Sequence, residues 1–550
     1  MRRFFGLILF FFFLCFTHIS VSFADMKMIT KAEEYNEYLI DAHIGNHNAQ
    51  HKVGLMLQAG RGIEKNLEGA VKWYRRAAEG GHAGGQFSLG VMYFNGHNVP
   101  KDRLEAVKWF RLAAENGHET AQFLVGKIYY RGKYITKNYN EAFKWLKLAA
   151  ENNHALAQFY LAKMYKEGKG LLHKDEAASL KWYQIAAHNG DSNAQLYMGV
   201  MYYNAESVPQ DFSKAFDWFS KAAAQGNHYA QYYLSIMYEI GLFVEKDVEH
   251  VIEWLTKASD YGNANAMYKL GNMYYFGENV GQNYVSAARL FEKAANKGHR
   301  KATASIGAMY LEGDGVLRNY EKGLFWTKKA AAFGNVDSQA NLGIFYRKGK
   351  GIEPKYDEAL KWLTFAAKKN HVRAQSNLGY MYLQGEGRPK DYQRAKIWLE
   401  KAAKQSDIMA QHNLAYIYYH GYGTPKNEDN YLYWMTKSAK KGHRPAQTFL
   451  AMSYLKGDFI VKSNKEALYW FHMAAEQGSA RSQNNLGAMY ANGNAVRKDL
   501  KLAYMWFNIA AENGEYAAVK NKEKIGRMMS EDQIKTAVKM AANWLKKHPI

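Results

Sequence analysis

The chain has 550 residues, of which 48% are hydrophobic and 23% charged, a balance that excludes a disordered chain and a multi-span membrane protein. Its net charge is +22 and its single cysteine is Cys15. The basic excess points to acidic partners or anionic surfaces, and it says nothing of the fold.

Residues 1–24 read as a secretory leader. Arg2 and Arg3 supply the positive end, Phe4 to Phe16 the apolar run, and Ser22-Phe23-Ala24 a small-x-small cleavage site before Asp25. The run is shorter than the roughly 20 residues a membrane span needs. Export with cleavage after Ala24 is expected, to the periplasm or outside the cell, with an uncleaved anchor as the alternative. Cys15 falls inside the leader, so the mature chain has no disulfide and no thiolate metal site. Residues 25–45 are expected to form an N-terminal capping helix, because a terminal unit of a stacked array needs a polar outer face.

From residue 46 to 514 one unit recurs. The stretch His371 to Ser406, HVRAQSNLGYMYLQGEGRPKDYQRAKIWLEKAAKQS, shows it. Ala374, Leu378, Met381 and Tyr382 make one helical apolar stripe, and Ala395, Trp398, Leu399 and Ala402 make a second. GEGRPK between them is turn chemistry. The unit is a helical hairpin, helix A then helix B.

The tryptophan sets the period, as in Trp362, Trp398 and Trp434, with steps of 36 residues. Leu290 fills one vacant phase, and one residue is inserted before Trp182, so thirteen phases run from Trp73 to Trp506. Seven residues before each phase stand Asn66, Asp102, Asn138 and their equivalents through Asp499, good helix-start acceptors with Lys355 as the exception. Eight residues after it stand glycines such as Gly81 and Gly442, with Asn153, Asn370 and Ser406 in the other places. A residue tolerant of positive φ is what ends helix B. A fixed period of this size predicts an all-α fold, an α-solenoid superhelix of about thirteen 36-residue hairpins. Residues 515–550 lose the register and read as C-terminal capping helices, the second opened by a capping box of Ser530 and Gln533.

The pattern A-x-x-x-L-G-x-x-Y, then G-x-G, a polar cap, and A-x-x-W-x-x-x-A-A resembles the Sel1-like repeat, a relative of the tetratricopeptide repeat. The resemblance implies a protein-interaction scaffold. Exported members include factors for host-cell entry, intracellular trafficking and binding of host immune proteins. Some exported relatives staple each hairpin with a cysteine pair and are linked to β-lactam binding; this chain lacks those cysteines, so that enzymatic role does not carry over. No cofactor is expected.

Local candidates for chemistry dissolve into the repeat. His82, His118, His154, His299, His371 and His443 share their position with Asp191, Asn227 and Ser479, which makes them helix starts and not metal ligands. The G-x-G loops, such as Gly60-Arg61-Gly62 and Gly385-Glu386-Gly387, follow a helix and lack the rest of a phosphate-binding motif, so helix termination explains them. The tryptophans and helix-A tyrosines are expected in the core.

Function is expected where the copies differ, on the helix-A face that lines the concave groove in tetratricopeptide-type solenoids. Early copies place Phe87, Phe123, Tyr130, Tyr160, Tyr197 and Tyr233 there, and later copies place Asn341, Asn377, Asn413 and Asn485 immediately before the leucine. Aromatic rings can anchor a ligand, and a row of amides can pair with an extended peptide. A protein or peptide partner is therefore expected. The lysines beside the helix-B tryptophan read as a solvated outer face or as an attraction to anionic surfaces. Rivals are an assembly factor for envelope polysaccharide or peptidoglycan, an endoplasmic-reticulum adaptor, and more remotely a β-lactam or glycan hydrolase. The export signal disfavours nucleic acid.

Overall fold

The computed structural model describes residues 23–171, 173–349 and 352–548. Most of the expected leader, residues 1–22, lies outside them. The described residues form 29 helices and no strand, which is the expected all-α solenoid architecture. By packing, the chain divides into two compact units, residues 1–266 and 267–550. The N-terminal unit holds the helix Phe23–His43 and the first six hairpins. The C-terminal unit ends in the helices Tyr516–Gly526 and Glu531–Lys547. In the latter, Ser530 and Gln533 make the reciprocal capping bonds at 3.3 and 3.0 Å.

Helices A and B are each 13 residues long in the repeats, as in His47–Ala59 and Leu67–Glu79. Their ends sit where the sequence marks them. Helix B opens on Asn66 or Asp102, whose side chains accept first-turn N–H groups, whereas Lys355 makes no such bond. The residue eight after each tryptophan phase adopts φ between 62° and 96°, including Asn153, Asn370 and Ser406. The first glycine of G-x-G ends helix A, with Ala205 in that place at φ 59°. The second glycine is a further left-handed residue and lies against the preceding hairpin, where a Cβ on Gly170 would sit 2.4 Å from the carbonyl of Tyr139. Helix termination thus explains only half of that motif. The loop is closed by a bond from the N–H of the helix-B cap to the carbonyl of the helix-A tyrosine, as from Asp102 to Tyr93 at 3.0 Å. Where the chain carries its extra residue, Asp175 still reaches Tyr165 at 3.1 Å.

Helix A packs on helix B of its own hairpin and of the one before. Within each unit neighbouring helices A also touch, as Val372–Gln384 does with Val336–Lys348 and with Ile408–His420. That places helix A on the inner side. The deepest core is not the tryptophan. The residue after it is buried in every hairpin, from Tyr74, Phe110 and Leu146 to Phe471 and Phe507, while Trp73, Trp109, Trp218 and Trp254 are only half-buried. The tryptophan instead covers the seam between hairpins, where Trp145 joins the cluster of Phe110 and Ile128.

Candidate functional site

A buried polar row, invisible in the apolar periodicity of the sequence, holds the inner helices in register. The glutamine three before the helix-A leucine is buried throughout, as Gln86, Gln158, Gln375 and Gln483 show. Its amide donates to the last-turn carbonyl of the preceding helix B, from Gln158 to Ala150 at 3.1 Å. In most copies its oxygen accepts from the cap of its own helix B, from Asn189 at 2.9 Å, while the oxygens of Gln231, Gln339 and Gln411 are buried without a partner. Met267 and Thr303 interrupt the row. The recurring Ala-Gln dipeptide is the signal that marks it.

On the groove face of the N-terminal unit the aromatic candidates join successive hairpins. Phe87 stacks on His118 and Phe123 on His154, both at 4.4 Å between ring centres. Phe123, Tyr130 and Tyr160 form one cluster, with Tyr160 6.0 Å from Phe123 and 5.5 Å from Tyr130. The Tyr130 hydroxyl donates to Glu167 at 3.1 Å, and that of Tyr160 accepts from Arg131 at 3.2 Å. Tyr197 stacks on the buried Tyr183 at 5.0 Å, and Tyr233 on Phe219 at 4.7 Å with Tyr203 edge-on to it at 5.7 Å. Phe123 is buried, and Phe87, Tyr130, Tyr160, Tyr197 and Tyr233 are half-buried.

The asparagines are not equivalent. Asn377 spends both ends of its amide internally: Arg347 donates to its oxygen at 2.6 Å, and its nitrogen donates to the Arg373 carbonyl at 2.7 Å. Arg347 is itself paired with Glu386 at 2.7 Å and lies over Tyr380. Asn485 donates to the Arg481 carbonyl at 2.7 Å. Asn341 and Asn413 make no side-chain hydrogen bond among the described residues. The difference lies one hairpin back, where Arg347 stands at the position held by Leu311, Leu383 and Leu455 before the other three. Asn341 lines a cavity of about 200 Å³ floored by Leu311, Ile344 and Phe345 and edged by Glu312, Lys348 and Arg373. That cavity offers an amide and two exposed cations to a polar ligand.

The histidines act as caps. Nδ1 of His82, His118, His154, His299 and His371 accepts from a first-turn N–H at 3.0–3.2 Å. His443, followed two residues on by Pro445, does not cap. It faces His412 at 4.9 Å, and the Nδ1 atoms of both are buried without a partner. Burial, with His443 alongside, pushes the His412 pKa down to about 4. A folded value below the ordinary 6.5 means the neutral ring stabilises the fold above that pH, and the contribution is lost as pH falls from about 6.5 toward about 4. Across that window the Tm of the wild type will fall more steeply than that of His412→Leu, and parallel profiles in calorimetry would remove His412 from the account. Among the described residues no group of three His, Cys, Asp or Glu side chains can hold a metal ion.

The outward lysines are tied to their own helices. Lys221 lies over Trp218 at 4.5 Å and Lys257 over Trp254 at 4.4 Å, while Lys72 pairs with Glu68 and Lys108 with Glu105.

A family model described as Sel1 repeat matches thirteen successive segments, the first at residues 47–82 and the last at 480–515. The chain is similar to the crystal structure of c5321, a protective antigen of uropathogenic Escherichia coli with an SLR fold, at 30% identity. The match covers 87% of this chain and 95% of that one, with a TM-score of 0.53. It is also similar to a Sel1 repeat protein from Oxalobacter formigenes, at 30% identity over 56% of this chain and 90% of that one, with a TM-score of 0.46. Comparison with curated proteins yields no match.

Proposed function

This chain belongs to the Sel1 repeat family, whose members are generally protein-interaction scaffolds, and from that premise we propose that it is a non-catalytic adaptor whose helix-A face holds a peptide or protein segment. The observation that carries the reading is the pair of uncommitted amides, Asn341 and Asn413, on the inner side of the C-terminal unit, the first beside a cavity with two exposed cations. Groups with no internal partner on a face built by packed helices are available to a ligand at no cost to the fold. The half-exposed aromatic row of the N-terminal unit supplies apolar anchors of the same kind. Because c5321 is by its description a protective antigen, an exposed, host-facing role fits this reading. Binding of envelope polysaccharide is the less favoured reading.

The test is a crosslinking capture from envelope and host-cell extracts, with wild type beside Asn341→Ala/Asn413→Ala. The double variant should keep its Tm and lose the captured protein; equal recovery from both would end the groove reading. Asn377→Ala serves as the contrast. It removes an acceptor from a guanidinium and should lower stability by about 1.5–3 kcal/mol. Export belongs to the same proposal, and intact mass of the secreted protein should begin at Asp25.

A further inference from the structure

The two units differ on their outer faces. Immediately before the tryptophan phase the N-terminal unit carries a charge in every hairpin: Lys72, Lys108, Lys144, Lys181, Asp217 and Glu253. In the C-terminal unit that position is still charged in the first hairpin, as Arg289, and then turns apolar. Phe325, Ile397, Tyr433 and Tyr469 occupy it, and in the hairpin that has Lys361 there, Phe365 stands one turn further along the same face. Five successive hairpins therefore each hold one large apolar side chain outward, at 49–58% exposure. Exposed hydrophobics scattered singly need no explanation, but a row in one register does.

The C-terminal half of the face is mostly cationic. Exposed Lys368, Lys404 and Lys440 stand there, with Glu476 in the equivalent place of the last of the five helices, and Lys401 and Lys437 lie over Trp398 and Tyr433 of their own helices, while Glu321, Asp357 and Asp429 lie in the first helical turn. The result is an apolar row edged by a cationic one. In the last hairpin the equivalent position is Met505, only 6% exposed and packed in one cluster with Trp506 and residues of the closing helix Glu531–Lys547. Apolar cover is accepted at this position where the chain supplies it.

We propose that the outer face of helices B between residues 320 and 476 docks on an anionic phospholipid surface. Phe325, Phe365, Ile397, Tyr433 and Tyr469 enter the headgroup layer, and the lysines meet lipid phosphates. Two features select lipid over a protein partner. The cations of its C-terminal half are all lysines, and Arg394 at the other end of the face is paired with Asp391 at 3.3 Å, whereas protein interfaces deplete lysine and enrich arginine. Aromatic rings beside long-stemmed cations suit the bilayer interface, where rings sit at headgroup depth and ammonium groups reach the phosphates. The site is distinct from the groove, so one chain can hold a partner on its inner side while resting on a membrane.

Sedimentation of the full chain with vesicles of phosphatidylcholine alone, or mixed in equal parts with phosphatidylglycerol, tests the proposal. Binding should need the anionic lipid and weaken as salt rises. Ile397→Ser/Tyr433→Ser/Tyr469→Ser, at exposed positions and of unchanged melting behaviour, should bind about tenfold less. Lys401→Gln/Lys404→Gln/Lys437→Gln/Lys440→Gln should lose the preference for phosphatidylglycerol, while Asn341→Ala/Asn413→Ala should bind as wild type. Failure of the wild type to sediment, equal sedimentation of the serine variant, or capture of a protein by this row while vesicles are ignored would each overturn it.

Discussion

Phe219→Ala will destabilise the N-terminal unit by about 3–5 kcal/mol, more than truncation of the neighbouring Trp218. Phe219 is fully buried and stacks on Tyr233 at 4.7 Å; Trp218 is half-exposed. The ring fits because the facing helix A carries Gly199, where a Cβ would stand 2.5 Å from two ring carbons. Gly199→Ala should therefore cost about 1–3 kcal/mol in the wild type by overpacking. In the Phe219→Ala chain the same change has room, and replacing a mid-helix glycine then stabilises by up to about 1 kcal/mol. A double-mutant cycle followed by urea unfolding reads the reversal. If Gly199→Ala has the same sign in both backgrounds, the pairing of helix-A glycine with helix-B ring is wrong.

Gln158→Met should cost about 1–3 kcal/mol, because it removes the hydrogen bond from the exposed Asn189 and leaves the buried Ala150 carbonyl without its partner. Methionine matches the length and apolar burial of the side chain, so the loss isolates the two hydrogen bonds. In a linear array the coupling between neighbours sets cooperativity. Weakening one joint should also broaden the urea transition. A change smaller than about 0.5 kcal/mol would place the row among ordinary surface contacts.

Helix boundaries were legible because each rests on one local preference: Asp102 as an acceptor at a helix start, or Gly81 and Asn153 as residues tolerant of positive φ. The depth of the core was not. Periodicity picks the residue that stays the same, Trp218 and its equivalents, whereas the deepest position varies from Tyr74 to Thr327 to Leu399. The facing helix A does not reveal it either, since glycine stands against Leu146, Thr327 and Leu399 as it does against Phe219. Gln158 escaped notice because a polar side chain beside alanine reads as solvent-facing until its two partners, 8 residues back and 31 ahead, are brought to it. The asparagine row read as uniform for the same reason. Arg347 meets Asn377 across 30 residues, as Tyr130 meets Tyr160 and Tyr203 meets Tyr233, and no window centred on one hairpin contains both.

The buried glutamines bear on how such a chain changes length over generations. Each joint presents the next hairpin with the same carbonyl and asks of it the same amide, so unequal recombination between two copies rejoins a donor to an equivalent acceptor. Gln122 meets Ala114, Gln158 meets Ala150 and Gln195 meets Ala187 by one geometry. A gene of this kind can gain or shed whole hairpins without leaving an orphaned carbonyl at the new junction. Crossovers at Met267 or Thr303, which lack the amide, would leave one, and the parts of the gene that code for them should be the least free to move.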